Sequence, residues 1–286
     1  MIPESTLQLQ QILKQTLRFT LDFLDRHNIN YILCGGTLLG AVRHQGFIPW
    51  DDDVDIYLYR EDYRRLMDMK DEIKAEGYRL LTLNDDGYYL PFAKLINPGT
   101  TIWEKERFEF LLGAFVDIFP LDRFCQSDAE IRSIQRKGRR LFRRYQTCIR
   151  KNSFTTVFKY LYSFRFITFF IALQSLADKT AQRRYLQLYL QYEAKHSSYQ
   201  GEKCTVIAMS KNQVYRCSWF ETFLQGRFED IDVKIPSGYD AYLKEMYDDY
   251  MTLPPEEKRL PTHNDVYINL KQALTMQEVK NELKKS

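Results

Sequence analysis

The sequence predicts an α/β chain of the α+β kind: a mixed sheet flanked by helices, a helical basic insert and a mixed C-terminal part. Three observations carry this reading. Helix-period and strand-like runs alternate through the first 125 residues, as in domains that layer helices on a sheet. From Ile131 to Ala177 there are eleven Lys or Arg and no acid. The 286 residues are 44% hydrophobic and 15% aromatic, enough for one large domain with an appendage and too apolar for a disordered chain.

Element by element, Ser5 to His27 reads as a helix, because Leu9, Leu13, Leu17, Leu21 and Leu24 recur at spacings of three and four. Ser5 with Gln8 has the form of a capping box. Tyr31 to Cys34 is a short apolar strand closing on Gly35-Gly36, and Thr37 to Arg43 a short helix. After the loop Gly46 to Trp50 come a strand from Val54 to Tyr59 and a helix over Asp62 to Glu76. Strands follow around Arg79 to Leu83, Leu90 to Ile96 and Gly113 to Phe119, the last ending at Pro120. The basic middle and Lys179 to His196 read as helical. The last third holds Gly226-Arg227-Phe228, a turn at Ile235-Pro236-Ser237-Gly238 and a helix over Tyr239 to Tyr250.

Charge narrows the partners. The total of +3 argues against a dedicated nucleic-acid binder, yet the eleven cations of residues 131–177 leave −8 on the rest. That stretch admits a solvated helical pair, a surface for anionic membrane, or a site for a polyanionic acceptor. Phe154, Val157, Phe158, Leu161, Phe164, Ile167 and Ile171 recur there at helical spacing, with Lys151, Lys159 and Arg165 among them. No apolar run reaches the roughly 18 uncharged residues of a spanning helix. Cys34, Cys125, Cys148, Cys204 and Cys217 lack CxxC spacing and read as reduced, buried thiols of a cytoplasmic protein. The first residues carry no signal-peptide pattern.

The densest chemical signal is Trp50-Asp51-Asp52-Asp53-Val54-Asp55-Ile56. Residues two apart on a strand share a face, so Asp53 and Asp55 project together. Paired oxygens of this kind suit Mg²⁺ or Mn²⁺, with the remaining positions left to water and phosphate. A solvated acidic turn is the plain alternative. A calcium loop counted from Asp51 fails, having Ile56 where Gly is needed and Asp62 where Glu is needed. One element upstream, Gly35-Gly36-Thr37 ends a strand and opens a helix, a place where backbone N–H groups suit a phosphate. It fits neither the dinucleotide nor the P-loop pattern. Asp117, alone in the apolar strand Phe115 to Phe119, costs roughly several kcal/mol unless paired or metal-bound.

A Gly-Gly-Thr turn beside a strand bearing Asp-Val-Asp, with a third acid on a later strand, resembles the nucleotidyltransferase fold related to polymerase β. Cys34 to His44 followed by Gly46 to Asp55 is similar to the signature of the LicD family. Pro91-Phe92-Ala93-Lys94, Val116 to Asp122, and Tyr250 to Arg259 with His263 match it in order. Asp230 and Asp248 stand where the family often has Gly.

The resemblance implies transfer of phosphocholine from CDP-choline to a sugar hydroxyl of a cell-surface glycan precursor, of teichoic acid, lipopolysaccharide or capsule type, with release of CMP. It implies that Asp53, Asp55 and Asp117 hold Mg²⁺ or Mn²⁺, and that Asp117 takes the hydroxyl proton, with His44 as rival base. Gly35, Gly36, Thr37, Arg43, His44 and Lys94 become the candidate substrate contacts. Residues 1–125 are then a nucleotidyltransferase-like catalytic core, 126–200 the basic helical insert, and 201–286 a part completing the same domain. A lipid-linked acceptor would place the protein in the cytoplasm, peripheral to the inner face of the plasma membrane. Transfer of ethanolamine, glycerol or ribitol phosphate from its CDP donor stays open. So does a metal-dependent glycosyltransferase, since Asp-x-Asp also chelates nucleotide-sugar diphosphates.

Overall fold

The computed structural model describes residues 4–151, 157–158, 160, 162–163, 165–177, 180–208, 213–261, 263 and 265–285. Its centre is a mixed sheet with helices against it. The strands that matter for the site are β1 (Ile32–Leu33), β2 (Asp55–Tyr59), β3 (Arg79–Leu81), β4 (Ala93–Trp103) and β5 (Leu112–Phe124). Three more join from the last third of the chain: β6 (Lys203–Thr205), β7 (Tyr215–Arg216) and β10 (Tyr267–Asn269). The main path runs β1-β2-β5-β4-β10, with β3 also on β4, β6 on β5 and β7 on β6. The β2–β5 pair is parallel and the others are antiparallel. Two further strands, β8 (Phe223–Phe228) and β9 (Ile231–Pro236), form a separate hairpin.

The leucine stripe behaves as its spacing dictates. Helix α1 (Glu4–Arg26) buries Leu9, Leu13, Leu17, Leu21 and Leu24 and lies against β4 and β5. At about 1.5–3 kcal/mol per large apolar side chain, that stripe anchors the helix to the sheet. Ser5 sits inside the helix, which already begins at Glu4, so the expected capping box does not form there. The second helix, α2, runs Gly35–Arg43 and so takes in both glycines. The long helix expected over residues 62–76 is two, α3 (Arg60–Met67) and α4 (Lys70–Ala75), broken at Asp68-Met69.

Pro120 does not end its strand. Asp117 donates its N–H to the Val54 carbonyl on the β2 side at 2.7 Å, so the even-numbered N–H groups of β5 face the other way. On that side the pairing with β4 stops at Ala93↔Ile118, and the N–H that proline lacks has no ladder partner to lose.

The basic middle is helical where described: α5 (Asp128–Ile149), α6 (Phe166–Ala177) and α7 (Thr180–His196), with α5 opening on a Ser127–Glu130 capping box. Of the apolar face expected here, Phe154, Leu161 and Phe164 lie outside the described residues, as does Lys159. Val157 and Ile171 are buried, whereas Phe158 and Ile167 face solvent. No described helix is long and apolar enough to cross a membrane. The cysteines are all free, but not all buried: Cys125 is exposed and Cys148 half-buried.

The two acids at glycine-like positions have different surroundings. Asp230, in the β8–β9 turn, pairs with Lys14 at 3.3 Å and Arg18 at 2.8 Å. Asp248 caps helix α8 (Tyr239–Tyr247) with φ 55° and ψ −116°, a conformation that favours glycine. Asp248→Gly is therefore expected to stabilise the fold by about 1 kcal/mol. An unchanged or lower thermal midpoint would show that the strain is absorbed locally.

Candidate active site

The site is set by strand register. On β5, Asp117 lies opposite Asp55 of β2 on one side and opposite Lys94 of β4 on the other. Directly paired residues share a face of a sheet, so three charged side chains stand in one row across three strands. Helix α2 is fastened to that row from above. The Thr37 hydroxyl accepts the Asp55 N–H at 2.8 Å, and the Cys34 N–H donates to the Asp55 carbonyl at 3.3 Å.

The glycines are required by this approach. A Cβ at Gly35 would lie 2.8 Å from Asp55 Oδ2, and one at Gly36 would lie 2.6 Å from Asp51 Oδ2. Gly35 also has φ +55°. The turn therefore lets two carboxylates come against the backbone at the start of a helix. The Gly35 N–H is not left for a ligand, because it donates to the Tyr242 hydroxyl at 3.1 Å. Gly36 and Thr37 lie in the first turn, whose N–H groups have no intrahelical acceptor.

Burial sets the electrostatics of this row. Burial pushes the carboxyls of Asp51, Asp53 and Asp55 above the usual carboxylate range, and neighbouring acids add to the shift. The charges of Asp53 and Asp52 add to the rise at Asp51. Burial likewise raises Asp117 to about 7, against the pull of Lys94. Lys94 Nζ lies 2.7 Å from Asp117 Oδ1 and 3.1 Å from Glu104 Oε1, over the Phe115 ring. Both oxygens thus pair with the one buried ammonium. One buried lysine cannot balance Glu104, Asp117 and the Asp51–Asp55 group together. The row is thus acidic and buried, with Lys94 as its internal counter-ion.

A second grouping lies beside the first. Oxygens of Asp52 and Asp53 and a ring nitrogen of His263 approach within 4.8 Å of one another. Asp52 accepts both the backbone N–H of His263 at 3.0 Å and a contact from Nδ1 at 3.1 Å, while Asp53 Oδ2 is 3.8 Å from Nδ1. Burial alone would lower the His263 pKa, but the Asp52 bond and the charges of Asp53 and Asp52 raise it to about 9. A protonated imidazole is a counter-ion and not a ligand, so this group reads as an ion pair.

The structure thus sets Gly35 against Asp55 and Gly36 against Asp51, with Asp117 opposite Asp55, while among the described residues Asp53 groups closely with Asp52 and His263 and not with Asp55 and Asp117. Lys94 reaches the cluster from within the sheet, as a counter-ion only 1% exposed. The Thr37 hydroxyl positions Asp55. Arg43 and His44 sit at the far end of α2, roughly 13 Å along the axis from Gly35. There Arg43 donates to the Tyr250 carbonyl and contacts His44 Nδ1 at 3.4 Å. Sequence reasoning passed over Glu104, which has no local pattern. It also passed over Tyr247, whose hydroxyl pKa is raised by burial and then by Asp55 and Asp51. Asp51 was visible in the acidic cluster but unassigned.

Comparison with known proteins agrees with the motif reading. A family model described as LicD/FKTN/FKRP, nucleotidyltransferase domain, matches residues 28–132. The chain is 30% identical over 250 residues to the lipopolysaccharide cholinephosphotransferase LicD of Haemophilus influenzae, covering 85% of this chain and 91% of that protein. It is 48% identical over 50 residues to the human ribitol 5-phosphate transferase FKRP, covering 18% of this chain and 10% of that protein. An uncharacterized Rickettsia typhi protein is 34% identical over 116 residues, 41% of this chain and 36% of its own length.

The His263–Asp52 pair makes a pH prediction. A folded pKa of about 9 against an ordinary 6.5 gives stability fully present below pH 6.5 and lost as pH rises toward 9. In metal-free protein, His263→Gln should cost about 3 kcal/mol at pH 6 and much less at pH 9.5. Thermal melts showing the same loss at both pH values would remove the charge from this account.

Proposed function

Because this chain belongs to the LicD family, we propose that it moves phosphocholine from CDP-choline to a sugar hydroxyl of a cell-surface glycan precursor, releasing CMP. The supporting observation is the pairing of Asp55 with Asp117 across β2 and β5, with the charges of Asp51 and Asp53 felt at Asp55, beside the turn at Gly35-Gly36. Asp53, Asp55 and Asp117 would hold Mg²⁺ or Mn²⁺, which when bound offsets the charge of the diphosphate.

The chain's own groups supply the rest. The first-turn N–H groups of Gly36 and Thr37 face the donor's phosphates at the positive end of α2. The sugar oxygen attacks the phosphorus that bears choline. A new P–O bond forms, the P–O bond to CMP breaks, and CMP leaves with the electron pair. Asp117 accepts the hydroxyl proton in this reading. The place of His44 at the other end of α2 favours Asp117 over it as base. The FKRP likeness keeps ribitol phosphate as the second donor class to be tried.

A lipid-linked acceptor would suit the surface that the protein carries. Phe158, Tyr162, Phe166, Ile167, Phe170 and Leu173 are exposed within sixteen residues, Ile167 at 65% and Phe170 at 63%. Clusters of this kind are uncommon on a monomer's surface. They lie beside exposed Arg165, in the acid-free stretch of eleven cations. An anionic bilayer is the occupant this chemistry selects.

Two measurements test these readings. Incubation with CDP-choline, CDP-ethanolamine, CDP-glycerol, CDP-ribitol and UDP-sugars, with Mg²⁺ and lipopolysaccharide, should release CMP fastest from CDP-choline. EDTA should abolish the release, and Asp53→Asn should slow it at least ~10²-fold. Metal-dependent release that survives Asp53→Asn sinks the assignment, and a faster UDP-sugar makes the protein a glycosyltransferase. Separately, the protein should sediment with phosphatidylglycerol-containing vesicles in preference to pure phosphatidylcholine. Replacing both Ile167 and Phe170 by Ser should weaken that binding roughly tenfold or more. Indifference to anionic lipid, or burial of the face in a dimer, overturns the membrane reading.

A further inference from the structure

A cavity of about 200 Å³ opens beside the carboxylate row, with Gly35 and Asp55 in its wall. Its other walls include Tyr57, Phe119, Tyr215, Met246 and Tyr247. Four aromatic rings and a thioether thus surround a space with one carboxylate at its inner edge. Asp55 is the only charged residue among the described residues that line it. Such a space repels phosphate and favours a cation with apolar substituents, because ring faces carry negative potential.

The rings are held in place from behind. The Tyr57 and Tyr242 hydroxyls meet at 3.3 Å, and Tyr242 accepts the Gly35 N–H. The Tyr215 hydroxyl sits 2.8 Å from Gln213 Oε1 and 2.9 Å from Met246 Sδ. Tyr57 and Phe119 meet edge-on at 6.0 Å. Tyr247 is different: at 37% exposed, it forms part of the mouth. The volume is below the roughly 300–1,000 Å³ of sites for drug-sized ligands, so the space takes a head group and not a whole nucleotide.

We propose that this cavity seats the quaternary ammonium head of the transferred group and so selects which phospho-alcohol is used. The inference rests on the reading that a CDP-alcohol is the donor. In choline phosphate only two carbons and an oxygen separate the nitrogen from the phosphorus. A phosphorus at the carboxylates therefore leaves the head at the adjoining wall, where Asp55 borders both spaces. Ribitol or glycerol carries no positive charge for the ring faces and Asp55 to attract.

Titration calorimetry with choline chloride and tetramethylammonium chloride tests the site without turnover. Both should bind; Tyr247→Leu should weaken them about tenfold, and Tyr247→Phe should restore most of the loss. In the enzyme assay, Tyr247→Leu should raise KM for CDP-choline and shrink its preference over CDP-ribitol. Choline binding that is absent, or untouched by Tyr247→Leu, in a protein that still transfers phosphocholine removes the cavity and leaves the reaction standing. Choline binding with no CDP-alcohol turned over does the reverse. An equal rise in KM for every CDP donor would give the cavity to the cytosine ring and overturn the proposal.

Discussion

Everything at this site depends on one register: Lys94, Asp117 and Asp55 opposite one another on β4, β5 and β2. A slip of one residue in any of the three strands would send that strand's charged group to the other face. The β2–β5 pair is parallel and gains its partner only through a long connection. The register is therefore secured from elsewhere, by the leucine stripe of α1 against β4 and β5 and by the Thr37 bond to Asp55.

The register also concentrates charge where water is scarce. Lys94 answers Asp117 and Glu104 from inside the sheet, and His263 answers Asp52 from just before β10. Removing one member of a buried pair costs about 3–5 kcal/mol, because the remaining charge has no water to turn to. These two cations leave Asp51, Asp53 and Asp55 undercompensated at the end of α2. That residue of negative charge is a structural liability in the fold and the means of the proposed reaction. Fold and chemistry share the same carboxylates.

Local patterns were legible where local physics decides them. The period of the leucines matches α1, and the Gly-Gly-Thr turn lies at the start of α2, whereas β2 begins only at Asp55 and leaves Asp53 outside the strand that was expected to align the two carboxylates. The reading fell short where the decision was made by a distant partner. Lys94 looked like a phosphate ligand because nothing near it in sequence shows Glu104 and Asp117 closing over it. Arg43 and His44 follow the glycines closely, yet nine residues of helix carry them away. Pro120 looked like a strand end, and only the early stop of β4 makes it harmless inside β5.

By itself the sequence determined the chemistry available: an acidic cluster, a glycine turn, a lone strand aspartate and an acid-free basic stretch. Those follow from residue identity and short-range periodicity, which do not depend on the rest of the chain. Only the tertiary structure decided which charges meet. His263 reaches Asp52 across 211 positions, and Tyr242 reaches Gly35 across 207. The aromatic wall beside Asp55 draws on four separate segments, β2, β5, β7 and α8. Burial and pairing are properties of the folded arrangement, and they turn a run of aspartates into a site with a definite charge and shape.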